Sequence, residues 1–310
     1  MCVNHDKMKI GSLCTGYGGL DMAVETYFNA EMVWCAENDK YASKVIQERF
    51  NKPNLGDIKQ IDWSSVEPID ILTAGYPCQP FSHAGQRKGE NDKRHIWPFI
   101  MEGISMVRPR FVVMENVRGH LSLGLAEVLK GLSSIGYDAQ WDIVRASEVG
   151  APHQRARLFI VAYPNSNACE KPRRTDRELS TKGRGFQDGQ NPWETGSEHR
   201  GSCKIDCNSN YKHQPHNRTL QELGSRFVSR CEMHLQTPPD ALDQDGKLNA
   251  KFVEYMMGLP VGWITDLDLS RAQQLKMLGN GVVPQQAYYA LEQLMTCRLT
   301  CGYADGFGIV

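Results

Sequence analysis

Residues 9–21 read KIGSLCTGYGGLD. A short β-like run, KIGSLC, stops at a cluster of glycines, and a helix-spaced segment, LDMAVETYF (20–28), follows at once. Gly16, Gly18 and Gly19 let the backbone turn tightly and approach a ligand closely. Strand, glycine turn and helix in that order open a β–α–β unit. The spacing is not GxGxxG, so this stretch alone does not name a ligand.

The same alternation continues downstream. EMVWCAE (31–37) reads as a second strand, and KYASKVIQERF (40–50) as a helix with Tyr41, Val45, Ile46 and Phe50 on one side. IDILTAG (69–75) is a buried strand, WPFIMEGISMV (97–107) a helix, and RFVVMENV (110–117) a strand that is apolar up to its charged end. LAEVLKGLSSIG (125–136) is a helix with a glycine stop. AQWDIVRAS (139–147) and RLFIVAY (157–163) read as further strands. Repeated β–α–β units predict a parallel sheet covered by helices on both faces. The texture changes after Tyr163, where a long stretch rich in Asn, Ser, Gly, Arg, His and Gln lacks apolar periodicity. Helical patterns return in LNAKFVEYMMGLP (248–260), RAQQLKMLGN (271–280) and PQQAYYALEQLM (284–295).

The bulk composition narrows the class. The 310 residues are 41% hydrophobic and 23% charged, which predicts a soluble globular protein with a sizeable core. No apolar run reaches the ~20 residues that cross a bilayer. The N-terminal MCVNHDKMKIGS has no apolar segment of secretory-signal length, so the expected location is the cytoplasm, with no membrane partner. Ten scattered cysteines then read as reduced thiols. The net charge of −1 neither marks nor excludes a nucleic-acid binder, and the 164–240 stretch is slightly basic.

Open parallel sheets bind ligands at the carboxyl ends of their strands. Glu37 ends the second strand, where a carboxylate can accept hydrogen bonds from both hydroxyls of a ribose. Asp57, in LGDIKQ, falls where a third strand should end and could accept from an adenine amino group. Each acid alone reads as a solvated loop residue; together, at successive strand ends, they suggest a nucleoside. No GxxxxGK[ST] loop is present, so a nucleoside without a pyrophosphate, such as S-adenosylmethionine, fits better than ATP.

After the IDILTAG strand comes GYPCQPFS (75–82). Pro77 and Pro80 fix φ on either side of Cys78, which would aim its sulfur as a nucleophile; the competing reading is a buried structural cysteine. Glu115 emerges at the end of an apolar strand, where partial burial would raise its pKa. In PHQRARLF, Arg155 and Arg157 have the i, i+2 spacing that puts both on one face of a strand, able to bind a phosphate and a carbonyl oxygen. Alone, such a pair reads as an exposed strand face.

As a set these segments resemble the DNA (cytosine-5-)-methyltransferases of bacterial and phage type. GSLCTGYGGLD resembles that family's first motif, and AEND and GDI its next two cofactor motifs. GYPCQPFS resembles the catalytic loop, ENVRG the glutamate motif and QRAR the paired-arginine motif. FVEYMMGLPVGW and KMLGNGVVPQQAYYAL resemble the two C-terminal motifs. The match covers about 9–163 and 248–295 in the family's order. It implies an α/β fold: a Rossmann-like S-adenosylmethionine-dependent methyltransferase sheet with a smaller, irregular target-recognition domain. Residues 1–163 plus 248–310 would form the catalytic domain, and 164–247 the target-recognition region.

The resemblance also implies chemistry. A methyl group passes from S-adenosylmethionine to C5 of cytosine in a short double-stranded DNA sequence, after the base is flipped out of the stack. Cys78 attacks C6, Glu115 donates to or shares a proton with N3, Arg157 holds the carbonyl oxygen, and Arg155 neutralises phosphate charge. Leu13, Cys14, Gly16, Gly18, Gly19, Glu37, Asn38, Asp57, Ile58, Pro77 and Asn280 form the cofactor shell. Ser82, Arg87 and Arg94 belong to a loop closing over the flipped nucleotide, and Thr219 to the base-reading region. Ser12 and Cys14 stand where the family often carries aspartate and phenylalanine, and His153 where glutamine is common.

A monomer is expected, with a cognate restriction endonuclease as a candidate companion. Cys203, Cys207, His213 and His216 form C-x3-C-x5-H-x2-H, whose central interval is shorter than the usual zinc-site ~12; no metal is expected. Two other readings share the architecture. One is an RNA cytosine-5 enzyme of the tRNA-modifying branch; the long polar middle region favours DNA over it. The other is a non-catalytic DNA-binding relative, which would be expected to lack Cys78 or Glu115.

Overall fold

The computed structural model describes residues 7–77, 96–165 and 238–300, the last four as backbone only. Six strands, β1 (Met8–Leu13), β2 (Ala30–Ala36), β3 (Ile71–Ala74), β4 (Phe111–Val117), β5 (Tyr137–Val144) and β6 (Arg157–Pro164), form one sheet in the order β2-β1-β3-β4-β6-β5. β1 is parallel to β2 and β3, and β3 to β4. The sheet is not wholly parallel, however: β6 runs antiparallel to both β4 and β5. The reason lies in the β5–β6 connection. It holds only a short 3-10 turn, Ala146–Val149, instead of the crossover helix that a parallel pair requires.

Helices cover both faces. Along β4 the side chains alternate, with Val113 on one face and Val112 and Met114 on the other. The first face packs on α1 (Gly19–Phe28) and on α8 (Pro284–Thr300), which runs past the expected end of its pattern. Leu20, Val24, Ala287 and Leu291 meet Ile10, Val113 and Val161 there. The second face packs on α3 (Trp97–Val107) and α5 (Leu125–Ser134), through Ile100, Ile104, Val128 and Leu132. A one-turn helix, α4 (His120–Leu123), precedes α5. Burying each such aliphatic side chain is worth roughly 1.5–3 kcal/mol.

A third cluster joins α2 (Lys40–Arg49), α6 (Ala250–Met256) and α7 (Arg271–Asn280) to the glycine turn after β1. Asp39 caps α2 by accepting from the amides of Tyr41 and Ala42. Ser270 and Gln273 form a reciprocal capping box on α7. Between α6 and α7 the chain is organised by Glu254, only 2% exposed. Its carboxylate accepts from the amides of Gly262, Ile264 and Thr265 and from the Thr265 hydroxyl.

The strand expected to end at Asp57 does not form. Residues 51–57 contribute a single bridge, Asn54 to Cys35, and Asp57 instead caps a 3-10 turn, Ile58–Gln60. Pro53 lacks the amide a ladder needs, and Gly56 has φ 77°.

Candidate active site

β1, β2, β3 and β4 all end on one edge of the sheet. At the end of β1, after Leu13, the chain turns through three left-handed residues, Cys14 (φ 53°), Gly16 (φ 58°) and Gly18 (φ 82°). Gly18 and Gly19 are required by packing. A Cβ on Gly18 would overlap the Phe50 ring, and one on Gly19 the carbonyl of Val282. Gly16 differs, because no atom lies within 4 Å of the place a Cβ would take. The backbone there faces open space.

Glu37 follows β2 and reaches across to this turn. Its Oε2 accepts from the Gly16 amide at 2.9 Å, and its Oε1 from the Asp39 amide at 2.8 Å. Each oxygen accepts from a backbone amide, the Asn38 amide adds to this, and a carboxylate's roughly four lone-pair sites leave room for a further donor. Asn54 fixes the Glu37 backbone through bonds of 3.0 Å in both directions. Burial raises the Glu37 pKa, and its backbone hydrogen bonds oppose the rise. The half-buried Cys14 thiol is pushed up to about 12, by burial first and then by Glu37 and Asp57, so it stays neutral. The buried Ile58 adjoins Asp57, whose carboxylate accepts from the Lys59 amide. Asn38, Pro77 and Asn280 are exposed. Open space over Gly16, a carboxylate with acceptor capacity to spare, and apolar Ile58 together fit the ribose and adenine of a nucleoside.

Glu115 and Arg157 make the second half of the site. In the β4–β6 register Glu115 is opposite Phe159 and Val117 opposite Arg157. Glu115 and Arg157 are therefore diagonal neighbours on one face, within reach of long side chains. The reversal of β6 makes this possible, because it brings the first residue of β6 to the edge where β4 ends. Arg157 Nε donates to Glu115 Oε1 at 2.9 Å, with the side chains 16% and 9% exposed. Burial raises the Glu115 pKa to about 7, outweighing the attraction of Arg157 and Arg155. Such a group is poised to give and take a proton near neutral pH.

Arg155 departs from expectation. It lies before β6 with φ 35°, so the two arginines are not i, i+2 partners on a strand face. Its Nη2 donates to the carbonyls of Gly279 and Gly281, each at 2.7 Å. His153 bonds the Met256 carbonyl at 2.9 Å.

The segment leading to Pro77 is anchored from two sides. Asn116 Nδ2 donates to the Tyr76 carbonyl at 3.1 Å, and the Tyr76 hydroxyl bonds His120 Nε2 at 2.9 Å. Burial lowers the His120 pKa to about 4, so the imidazole is neutral. Cys78, Ser82, Arg87, Arg94, Thr219, Cys203, Cys207, His213 and His216 lie outside the described residues. Among the described residues no group of three His, Cys, Asp or Glu side chains could hold a metal. No described helix is long and apolar enough to cross a membrane.

Two buried residues of the turn escaped sequence reasoning. Tyr17, between the glycines, donates its hydroxyl to the Val282 carbonyl at 2.6 Å. Asp21, 1% exposed, is held by the Thr73 hydroxyl, and burial raises its pKa to about 6. An aromatic residue inside a glycine turn and an acid in the first turn of an apolar helix were the available signals.

The sheet and its edge loops define a Rossmann-like fold consistent with that of S-adenosylmethionine-dependent methyltransferases. Two solved structures share it: a Spodoptera frugiperda DNMT2 mutant (TM-score 0.60, 18% identity, covering 93% of this chain and 100% of that one) and S. pombe Dnmt2 (TM-score 0.58, 19% identity, 93% and 99%). At that identity the likeness concerns fold alone. The family is given by sequence: the profile described as C-5 cytosine-specific DNA methylase matches residues 8–230, and the chain belongs to this family. Among curated relatives, the Type II methyltransferase M.NlaX of Neisseria lactamica is 35% identical over 164 residues, 51% of this chain and 52% of that one. M.HhaI of Haemophilus parahaemolyticus is 34% identical over 158 residues, 49% and 48%. M.BsuFI of Bacillus subtilis is 30% identical over 162 residues, 51% and 39%. The chain thus spans about half the length of these relatives or less.

Proposed function

We propose that this protein transfers a methyl group from S-adenosylmethionine to C5 of cytosine within a short duplex DNA sequence, using Cys78 as a covalent nucleophile on a flipped base. The observation that carries the reading is the buried Glu115–Arg157 pair at the carboxyl edge of the sheet, beside Tyr17 of the glycine turn. Family membership and relatives named as Type II methyltransferases support the same reading.

Cytosine C5 is a weak nucleophile until an electron pair is pushed onto it. The Cys78 thiolate adds to C6 while Glu115 protonates N3. With a pKa of about 7, roughly half of Glu115 holds a proton at neutral pH. Arg157, fixed by its bond to Glu115, donates to the cytosine carbonyl oxygen and steadies the charge that gathers there. Gly16, Glu37, Asp57, Ile58 and Asn280 would hold the donor, whose sulfonium would give its methyl group to C5 as the S–CH3 bond breaks and leave as the neutral thioether. Water then removes the C5 proton, the C6–sulfur bond breaks, and the N3 proton returns to Glu115. Residues 164–247 read the target, Thr219 among them, and the loop with Ser82, Arg87 and Arg94 closes over the flipped nucleotide.

The test is incubation with labelled S-adenosylmethionine and mixed-sequence duplex DNA, followed by bisulfite sequencing. 5-Methylcytosine in one short context is expected. Label at N4 of cytosine, or on RNA alone, would overturn the assignment. Duplex containing 5-fluorocytosine should become trapped on the protein but not on Cys78→Ser, and full activity in that variant would exclude the covalent route.

A further inference from the structure

Arg155 is spatially removed from the role that its spacing to Arg157 suggests. Its guanidinium serves the C-terminal end of α7, where the last carbonyls of a helix lack intrahelical donors and carry the negative end of the helix dipole. Asn280 lies between the two carbonyls it holds. From Gly281 the chain passes to Val282, whose carbonyl accepts the Tyr17 hydroxyl at 2.6 Å and rests against Gly19. The Tyr17 ring fills the space over Gly281, where any Cβ would overlap it. Trp263 Nε1 donates to the Tyr17 carbonyl at 3.0 Å. Gln286, fully buried, holds Arg155 from behind by donating to its carbonyl and to that of Val144, both at 2.8 Å. An unbroken path of hydrogen bonds and contacts therefore runs from Arg155 through the end of α7 to the glycine turn.

We propose that Arg155 is a positioning residue for the methyl donor: it fastens the end of α7, with Asn280, to the Tyr17 turn, and leaves Arg157 alone of the pair to serve the base. This rests on the reading of that turn as the donor site. The alternative, a direct phosphate contact, makes opposite predictions. Losing a phosphate contact weakens DNA binding at all sequences and reduces the salt slope by about 1. Losing a positioning residue weakens the donor and leaves the slope alone.

The experiment compares Arg155→Gln and Tyr17→Phe with the unaltered protein. Donor affinity is measured by titration calorimetry without DNA, and duplex affinity over a range of salt. Donor affinity should fall on the order of 10-fold in Arg155→Gln, which loses two charge-assisted bonds, and about 3- to 10-fold in Tyr17→Phe, which loses one neutral bond. Donor KM should rise in parallel, while single-turnover rate at saturating donor and the salt slope stay near their original values. Arg155→Lys should recover part of the affinity. Unchanged donor binding with a reduced salt slope in Arg155→Gln would overturn the proposal. Should that variant not fold, Tyr17→Phe decides alone, because it keeps every charge and the buried ring; unchanged donor affinity there would overturn it. Absence of donor binding by the unaltered protein would overturn the reading of the site itself, and the proposal with it.

Discussion

Replacing Glu115 by glutamine should stabilise the protein at alkaline pH while slowing the proposed methyl transfer. Glu115 is buried, and its pKa rises from 4.5 to about 7 on folding. A carboxyl whose folded pKa is raised favours the folded state while protonated. That stability is fully present below 4.5 and is lost as pH rises through about 7. Each pH unit in that window removes about 1.4 kcal/mol, so the raised pKa of Glu115 costs the folded state about 3 kcal/mol at pH 8 and about 1 kcal/mol at pH 5. Glutamine resembles the protonated acid in shape and does not titrate. Urea denaturation should therefore show Glu115→Gln more stable than the original by about 3 kcal/mol at pH 8, shrinking to about 1 kcal/mol at pH 5. Turnover should fall by about 10²–10⁴, the usual worth of a positioned acid. A stability difference independent of pH would mean that the bond to Arg157 just offsets burial, and a loss of stability at pH 8 that it outweighs burial; either result would refute the reasoning.

Two further outcomes follow from single carboxylates. Glu254→Ala leaves the amides of Gly262, Ile264 and Thr265 without their acceptor; it should cost about 3–5 kcal/mol in thermal or chemical denaturation, and a cost below about 1 kcal/mol would contradict the account. Glu37→Gln sets an amide NH2 against the amide of either Gly16 or Asp39 and gives up the proposed ribose acceptor. Calorimetry should find donor binding weakened about 10- to 100-fold, and unchanged binding would remove Glu37 from the site.

Much of the fold could be read from local pattern, because local pattern sets it. WPFIMEGISMV forms α3 over the expected residues, and the apolar run before Glu115 forms β4. What could not be read depends on partners distant in sequence. A period-two strand looks the same in either direction, so the reversal of β6 was hidden; the short 145–156 connection was its only trace. LGD suggested a strand end, but Pro53 and Gly56 leave one bridge and a capped turn. Glu37 and Glu115 could be picked out as candidate site acids because each follows an apolar run, one just past β2 and the other near the end of β4. The fates of Arg155 and Tyr17 could not be read, since their partners lie 124 and 265 residues away. Neither spacing nor composition reports such contacts.

The Tyr17–Val282 bond also bears on synthesis. The glycine turn after β1 reaches its final shape only against a segment 265 residues further along the chain. Until residues 284–300 leave the ribosome, Leu20, Ala23 and Val24 of α1 have no α8 to cover them. An interrupted chain should present that oily stripe to chaperones and proteases.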